Sequence, residues 1–399
     1  MSKRIAVIGA GASGLLVSSL IKGGKITVFE KNDRVGKKLF ATGNGRCNLL
    51  NEHFSKDGLY SSDNDTLKKI LGENSYEEII NCFKSLGLFT RTDSEGRIYP
   101  LSNQSSSVLD ILRLSAKENG AVFVLNTEVK DIKKDGDTFK IITENGKTDA
   151  DIVIISTGGL ASSSTNGYDI LKSLGHTVTP LSPVLTKLKA DKSFTAPLKG
   201  IRSKAKLSLY KNDTLLREES GEIQFADYGI SGIAAMQISR FFEKGTRLLI
   251  DFAEEFSEED IFENLKKSQK GEREVSDIFA GIIQRRIAEE IVKKTLSVNP
   301  KMKATNLSDE ELKCLSEKIK AFPLEVFGTL GFDSAQVTRG GVPLSEINSK
   351  TMESKIQKGL YITGEALDVD GECGGYNLGW AWISALKAAN SINGDTKDA

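Results

Sequence analysis

Up to about residue 190, short apolar runs alternate with amphipathic stretches, and that alternation predicts β and α elements in turn. Ile5-Ala6-Val7-Ile8 reads as a buried strand, Leu15-Leu16-Val17-Ser18-Ser19-Leu20-Ile21 as a helix, and Ile26-Thr27-Val28-Phe29 as a second strand. Residues 76–86 place Ile79, Ile80, Phe83 and Leu86 on one helical face, and residues 108–117 predict a further helix ending near Gly120. Strands are expected over 122–125, 129–133 and 139–143, with turns at Thr92-Asp93-Ser94-Glu95-Gly96 and Glu144-Asn145-Gly146-Lys147. The run Ile152-Val153-Ile154-Ile155 predicts another buried strand.

The texture changes near residue 190. Residues 194–225 are strand-like, with Leu207, Leu209 and Leu215 set among polar positions and a turn at Asn212-Asp213. From 257 to about 320 the pattern is charged and helical, and Ser257-Glu258-Glu259-Asp260 and Ser308-Asp309-Glu310-Glu311 carry the signature of N-terminal caps. The chain then returns to α/β: Leu360-Tyr361-Ile362-Thr363 is strand-like, 364–376 is a glycine- and acid-rich loop, and 377–392 predicts a long helix.

Composition narrows the classes. The chain has 399 residues, enough for two or three domains, and 54 basic residues balance 54 acidic ones. A balanced chain argues against a general nucleic-acid binder, and both signs alternate where charge is dense. No apolar stretch reaches the ~18 residues of a membrane span. Met1-Ser2-Lys3-Arg4 runs straight into the first strand, so the expectation is a cytoplasmic protein without a leader or a membrane partner. The four cysteines, Cys47, Cys82, Cys314 and Cys373, form no CxxC, and His53 and His176 are the two histidines. That excludes a disulfide scaffold, makes a metal site or a histidine-based hydrolase unexpected, and assigns the difficult chemistry to a cofactor.

The glycine pattern points to a dinucleotide, FAD or NAD rather than NADP. Gly9-Ala10-Gly11-Ala12-Ser13-Gly14 sits between the first strand and the first helix, and Glu30 closes the second strand. In such a turn the first glycine permits the bend, the second lets a pyrophosphate approach the backbone, and the third packs helix on sheet. The helix N-terminus offers free N–H groups to the phosphates, and the acid accepts from a ribose that carries no 2′-phosphate. Next comes a basic, glycine-rich loop with Lys37, Lys38, Thr42, Gly43, Asn44, Gly45, Arg46, Cys47 and Asn48, suited to a diphosphate and a heteroaromatic ring. Thr157-Gly158-Gly159 ends the 152–155 strand as a second contact at the sheet edge. In the C-terminal loop, Gly364, Glu365, Asp368, Gly374, Gly375, Tyr376, Asn377 and Leu378 lead into the last helix. A helix starting near Asn377 can face its dipole toward the pyrimidine end of an isoalloxazine. Lys31, beside Glu30, and Val129 complete the expected cofactor contacts. Trp380 and Trp382 read as packing residues, and His176 as a structural hydrogen-bonding group.

Three motifs, 42–48 (Thr-Gly-Asn-Gly-Arg-Cys-Asn), 337–342 (Val-Thr-Arg-Gly-Gly-Val) and Gly364-Glu365 through 374–378 (Gly-Gly-Tyr-Asn-Leu), resemble the BaiN-like NAD(P)/FAD-dependent oxidoreductases, a family that also includes enzymes called aminoacetone oxidases. Residues 227–232 (Asp-Tyr-Gly-Ile-Ser-Gly) share the resemblance, which covers essentially the whole chain. It implies an α/β fold: a split Rossmann-like FAD-binding domain over 1–190 and 335–399, an inserted β-rich, barrel-like subdomain over 191–255 and 321–334, and a helical subdomain over 256–320. The family often has Thr where this chain has Leu50 and Pro where it has Ile233, and both departures touch the substrate side.

The implied activity is FAD-dependent redox chemistry, with hydride passing through flavin N5 and FAD bound non-covalently. NAD(P)H-dependent reduction of an activated C=C or a carbonyl in a small molecule leads. An oxygen-using amine oxidase and a non-catalytic FAD-binding scaffold stand as alternatives. With one dinucleotide fingerprint, claimed by FAD, NAD(P)H would dock transiently as co-substrate. Arg46 and Tyr376 are the candidates for orienting a substrate carbonyl or carboxylate. Cys47 and Cys373 each lie in a flavin motif, and small buried residues beside a cofactor is the plainer reading than a redox pair. The oligomeric state stays open.

Overall fold

The computed structural model describes residues 2–161 and 165–397, and the chain divides into two compact units, Met1–Ser182 with Val337–Ala399, and Pro183–Gln336. In the first unit, β1 (Arg4–Ile8), β2 (Lys25–Phe29), β3 (Val122–Val124), β4 (Ile152–Ile155) and β5 (Leu360–Ile362) form one parallel sheet in the order β5-β4-β1-β2-β3. This is the doubly wound dinucleotide-binding order. Ile8 pairs with both Phe29 and Ile155, and Ile155 with Ile362, so four strands end level at one edge. All four residues of β4 are buried, as a strand covered on both faces requires.

Helix α1 (Ala12–Leu20) is buried along 13–19, although it carries Ser13, Ser18 and Ser19 there. Ser18 Oγ donates to the Gly14 carbonyl at 2.7 Å and Ser19 Oγ to the Leu16 carbonyl at 2.8 Å, so neither of these two hydroxyls is left unpaired. The C-terminal carbonyls of α1 are taken by neighbours. Asn119, after α2 (Ser105–Glu118), donates to the Ser19 carbonyl at 2.6 Å, and Asn393 of α3 (Tyr376–Lys397) donates to the Leu20 carbonyl at 3.0 Å. An antiparallel sheet of Val129–Asp135, Thr138–Thr143 and Gly146–Ala150 and the helix Ser75–Ser85 complete the unit's main elements.

The second unit is built on a seven-stranded antiparallel sheet whose longest strands, Arg202–Lys211 and Thr214–Ala226, form a hairpin at the expected turn. Its two edge strands, Phe322–Leu324 and Val326–Thr329, are consecutive in the chain, so the sheet curls back toward itself. Ser257 and Ser308 cap helices Glu258–Ser268 and Asp309–Lys320 through full capping boxes. Residues 194–198, expected to be strand-like, lie instead in short helical turns over 192–198, which begin where Asp191 accepts from the Ser193 amide. Leu215 is 45% exposed while Leu207 and Leu209 are buried.

The junctions lie at 182/183 and 336/337, whereas the sequence reading set them at 190/191 and 334/335. The reason is Leu188–Ala190, which pairs with Gly229–Ser231 and Val326–Thr329 and so belongs to the inserted sheet. The helices of the insert are not separately cored: Ile261, Ile291 and Leu315 share one buried cluster with Leu207, Phe225 and Ile250 of the sheet. Among the described residues no helix is long and apolar enough to cross a membrane.

Candidate functional site

The carboxyl ends of β1, β2, β4 and β5 deliver Gly9, Glu30, Ser156-Thr157 and Thr363-Gly364 to one edge of the parallel sheet. In open α/β sheets that edge, where the strand order reverses between β1 and β4, is the ligand crevice. Gly9 has φ +97°, and a Cβ there would stand 2.6 Å from the Ser156 carbonyl oxygen. A Cβ on Gly14 would overlap the Gly9 carbonyl oxygen, so helix and turn meet backbone to backbone. Gly11 is different: nothing lies within 4 Å of a Cβ built there. Gly11 is also the N-cap of α1, no side chain caps that end, and no acid sits in the first turn. Free amides therefore face open space, which is the cradle a pyrophosphate needs.

Glu30, 7% exposed, accepts from the Ala10 amide at 2.9 Å and, through its other oxygen, from the Asn32 amide at 2.9 Å and the Asn32 side chain at 2.5 Å. A carboxylate offers about four acceptor sites, so capacity for a ribose hydroxyl remains. Lys31 is exposed next to it, and Val129, buried, receives the Asn166 side chain on its carbonyl at 2.8 Å. Asn32 and Asn166 escaped the sequence reading. An amide side chain two residues past the ribose acid is the signal that could have found Asn32.

The Gly36 amide donates to the Ala10 carbonyl at 2.8 Å, which docks the basic loop on the glycine turn. Lys37 is exposed, and Lys38 pairs with Glu365 at 2.8 Å. Beyond it Gly43, Asn44, Gly45 and Cys47 all have positive φ, between +56° and +81°. Such left-handed backbone at four positions, with Asn44 and Cys47 not glycine, is strained, and strain clusters at ligand sites. Arg46 stacks on the Tyr99 ring at 4.8 Å and its Nε donates to the Gly43 carbonyl at 3.3 Å. Tyr99 was not foreseen. Cys47 is fully buried, and burial pushes its thiol up to about 12, against the weaker opposing effect of a Thr42 hydrogen bond. A thiol held neutral in this way is a packing group rather than a nucleophile. The buried Asn48 Oδ1 has no protein partner.

The Thr157 hydroxyl is likewise buried without a partner. A Cβ on Gly159 would stand 2.5 Å from Thr338 Oγ1 and 2.7 Å from Glu365 Oε1, so its lack of a side chain is what lets these segments meet. Glu365 accepts from the Thr338 amide at 2.7 Å, and Thr338 Oγ1 accepts from the Ala161 amide at 2.9 Å. Thr338 lies in a motif quoted above and was given no role there. Gly158 has φ +70° and open space around it.

Gly364, at φ +69°, lies over Ser13: a Cβ would stand 2.8 Å from the serine hydroxyl. Its amide donates to Ser384 at 2.9 Å and its carbonyl accepts from Trp380 Nε1 at 3.0 Å. Trp382 donates to the Leu49 carbonyl at 2.8 Å and meets Phe83 edge-on, so both tryptophans are buried packing groups with satisfied N–H. Gly374 and Gly375 both have φ +108°, and a Cβ on Gly375 would overlap the Leu50 backbone. Asp368 is buried and accepts from the amide and hydroxyl of Ser62. Asn377 holds the loop before the helix: Oδ1 accepts from the Gly371 amide at 2.8 Å, and Nδ2 donates to the Gly371 and Glu372 carbonyls at 2.8 and 3.2 Å. Helix α3 begins at Tyr376, one residue before the predicted start, and Leu378 is half-buried in its first turn.

His176 sits apart from this edge, with Nδ1 2.6 Å from Glu346 and Nε2 2.9 Å from Ser354, a structural hydrogen-bonding role. Among the described residues no cluster of His, Cys, Asp and Glu could hold a metal ion. The sheet order, the uncapped α1 and the open space at Gly11 define a dinucleotide-binding Rossmann protein, and the Asn48 Oδ1 and Thr157 hydroxyl are buried polar groups without a protein partner.

The comparisons agree. A family model described as "HI0933-like protein Rossmann domain" matches residues 3–391, and the chain belongs to that family. It is an FAD-dependent oxidoreductase. The chain is 34% identical over 404 residues to a 3-dehydro-bile acid delta(4,6)-reductase of Clostridium scindens, covering 97% of this chain and 98% of that one. It is 30% identical to a ribosomal RNA dihydrouridine synthase of Haemophilus influenzae, over 97% of this chain and 98% of that one. The protein of that name in Escherichia coli is 27% identical over 97% of each chain.

Proposed function

We propose that this chain reduces a carbon–carbon double bond conjugated with a carbonyl group in a small molecule, using NADH or NADPH and non-covalent FAD. The observation that carries the reading is the full-length likeness to the delta(4,6)-reductase of a 3-dehydro-bile acid, an enone-type substrate by its name. Dihydrouridine is likewise uridine with its ring double bond, next to a carbonyl, saturated, so the second relatives' name points to the same reaction type. Balanced charge favours the small molecule over RNA, because basic and acidic side chains match in the insert as in the whole chain.

When bound, FAD supplies a two-electron carrier that takes hydride from the nicotinamide and gives it up at N5. The chain's part is binding and orientation. Gly9–Gly14 and Glu30 hold the adenosine and pyrophosphate end. Thr42–Asn48, Thr157–Gly159 and the loop from Gly364 to Asn377 take the ribityl and ring end, with the first amides of α3 offered to the pyrimidine. Arg46, fixed over Tyr99, supplies a cation for the substrate carbonyl.

The test is anaerobic. NADH or NADPH should bleach the flavin, and a steroid dienone conjugated with its ring ketone should restore the colour. Restoration by oxygen alone, with peroxide formed and no response to the enone, would favour the amine-oxidase reading. Acid precipitation should release FAD into the supernatant; colour kept in the pellet would contradict non-covalent binding.

A further inference from the structure

Tyr376 carries a ring whose position is over-determined and a hydroxyl that the fold scarcely uses. Two glycines make room for the side chain, Gly58 for its ring and Gly371 for its Cβ. A Cβ on Gly58 would overlap the ring, and a Cβ on Gly371 would stand 2.8 Å from Tyr376 Cβ. Phe54 packs against the ring at 6.1 Å between centroids, tilted by 42°. The hydroxyl, by contrast, has the His53 carbonyl oxygen as its partner at 3.5 Å, too long for a strong bond. A neighbouring phenol behaves otherwise: Tyr60 donates to Glu372 at 2.8 Å. Tyr376 is half-buried, at the point where the Gly374-Gly375 turn enters α3.

We propose that Tyr376 is the proton donor that completes reduction of the substrate double bond. This rests on the enone reading above. Hydride addition to the β-carbon breaks the C=C π bond and moves its electron pair toward the α-carbon and the carbonyl oxygen. The Tyr376 O–H then breaks, its proton forms the second C–H bond at the α-carbon, and the tyrosinate recovers a proton from water, which a half-buried phenol can reach. The electrons come from a reduced nicotinamide dinucleotide by way of the bound flavin. Burial, with the carboxylates of Glu372 and Asp57 nearby, raises the phenol's affinity for its proton, so the donor stays loaded at neutral pH. Arg46 remains the group for the carbonyl, which separates the two roles given to these residues together.

The experiment is Tyr376→Phe, read as two half-reactions of the FAD-loaded protein. Phe keeps the ring that Phe54 and Gly58 enclose and removes the hydroxyl alone, so any loop contact to the flavin stays and flavin content, melting temperature and the rate of anaerobic bleaching by NADPH or NADH should stay close to the parent's. Reoxidation by the steroid dienone should slow by roughly 100-fold or more, the usual worth of a general acid. Parent-like reoxidation in Tyr376→Phe overturns the proposal and leaves the enone reading intact. Loss of FAD, or bleaching slowed in step with reoxidation, shows a structural role and overturns it too. Failure of the parent to be reoxidised by the dienone overturns the enone reading itself.

Discussion

Gly11 and Gly14 stand three residues apart in one turn, yet the same kind of substitution should act on them in opposite ways. Gly11 has an ordinary negative φ of −79° and nothing within 4 Å of an added Cβ, so Gly11→Val should fold normally and exclude the pyrophosphate. Gly14→Ala would press a methyl into the Gly9 carbonyl and force α1 off the sheet, a clash of the overpacking type that costs about 1–3 kcal/mol. The expected outcome is a parent-like apoprotein melting temperature without flavin for Gly11→Val, and a lowered melting temperature for Gly14→Ala. Normal flavin content in Gly11→Val would remove this turn from the FAD site. Glu346 offers a second residue-scale test. Burial raises its pKa, but hydrogen bonds from Thr177 and His176 outweigh that and hold it below the usual carboxylate range. A folded pKa lowered in this way adds stability above the unfolded value and loses it as pH falls. Glu346→Gln should therefore lower the melting temperature at neutral pH, and the gap should close on acidification through the carboxylate range. A gap independent of pH would mean that the charge of Glu346 does not matter.

At the scale of elements, the apolar runs were the most legible feature. Ile5-Ala6-Val7-Ile8 and Ile152-Val153-Ile154-Ile155 are continuous because a central parallel strand is buried on both faces, and that is a signal periodicity reads well. The two capped helices were legible for a similar reason, since Ser-x-x-acid is a local device. What could not be read was long-range. Leu188–Ala190 looks like a continuation of the α/β half but pairs with strands 40 and more than 130 residues on, and no local pattern marks that. The same holds for Asn377, whose place in the motif suggested a flavin contact while its side chain ties α3 to the loop at Gly371 and Glu372. Asn377→Ala would leave the buried Gly371 amide without its acceptor, a loss of about 1–3 kcal/mol. Weaker FAD retention with a lower melting temperature is expected. Unchanged stability, measured on apoprotein, would show that the clamp does not hold the loop.

At the scale of the molecule, the proposed flavin site belongs to a unit whose two sequence halves are interrupted by a unit with its own core. Every residue of the second buried cluster falls between 188 and 324, so the insert closes its apolar surface on itself. Residues 183–336 expressed alone should therefore unfold cooperatively, in denaturant, as one transition and not as separate β and helical parts. The first unit cannot be cut so simply. β5 borders β4 through the pairs Val153–Leu360 and Ile155–Ile362, and α3 supplies Trp380 and Ser384 to hold Gly364 over Ser13. A chain ending at Gln336 keeps Gly9–Gly14 and Glu30 intact but exposes the edge of β4 and removes Glu365, the partner of both Lys38 and the Thr338 amide. It should lose FAD although the fingerprint survives, while the 183–336 part keeps its own transition. FAD retained at native affinity by the shortened chain, measured by flavin fluorescence titration, would mean that the glycine turn suffices and that the C-terminal segment serves the substrate instead.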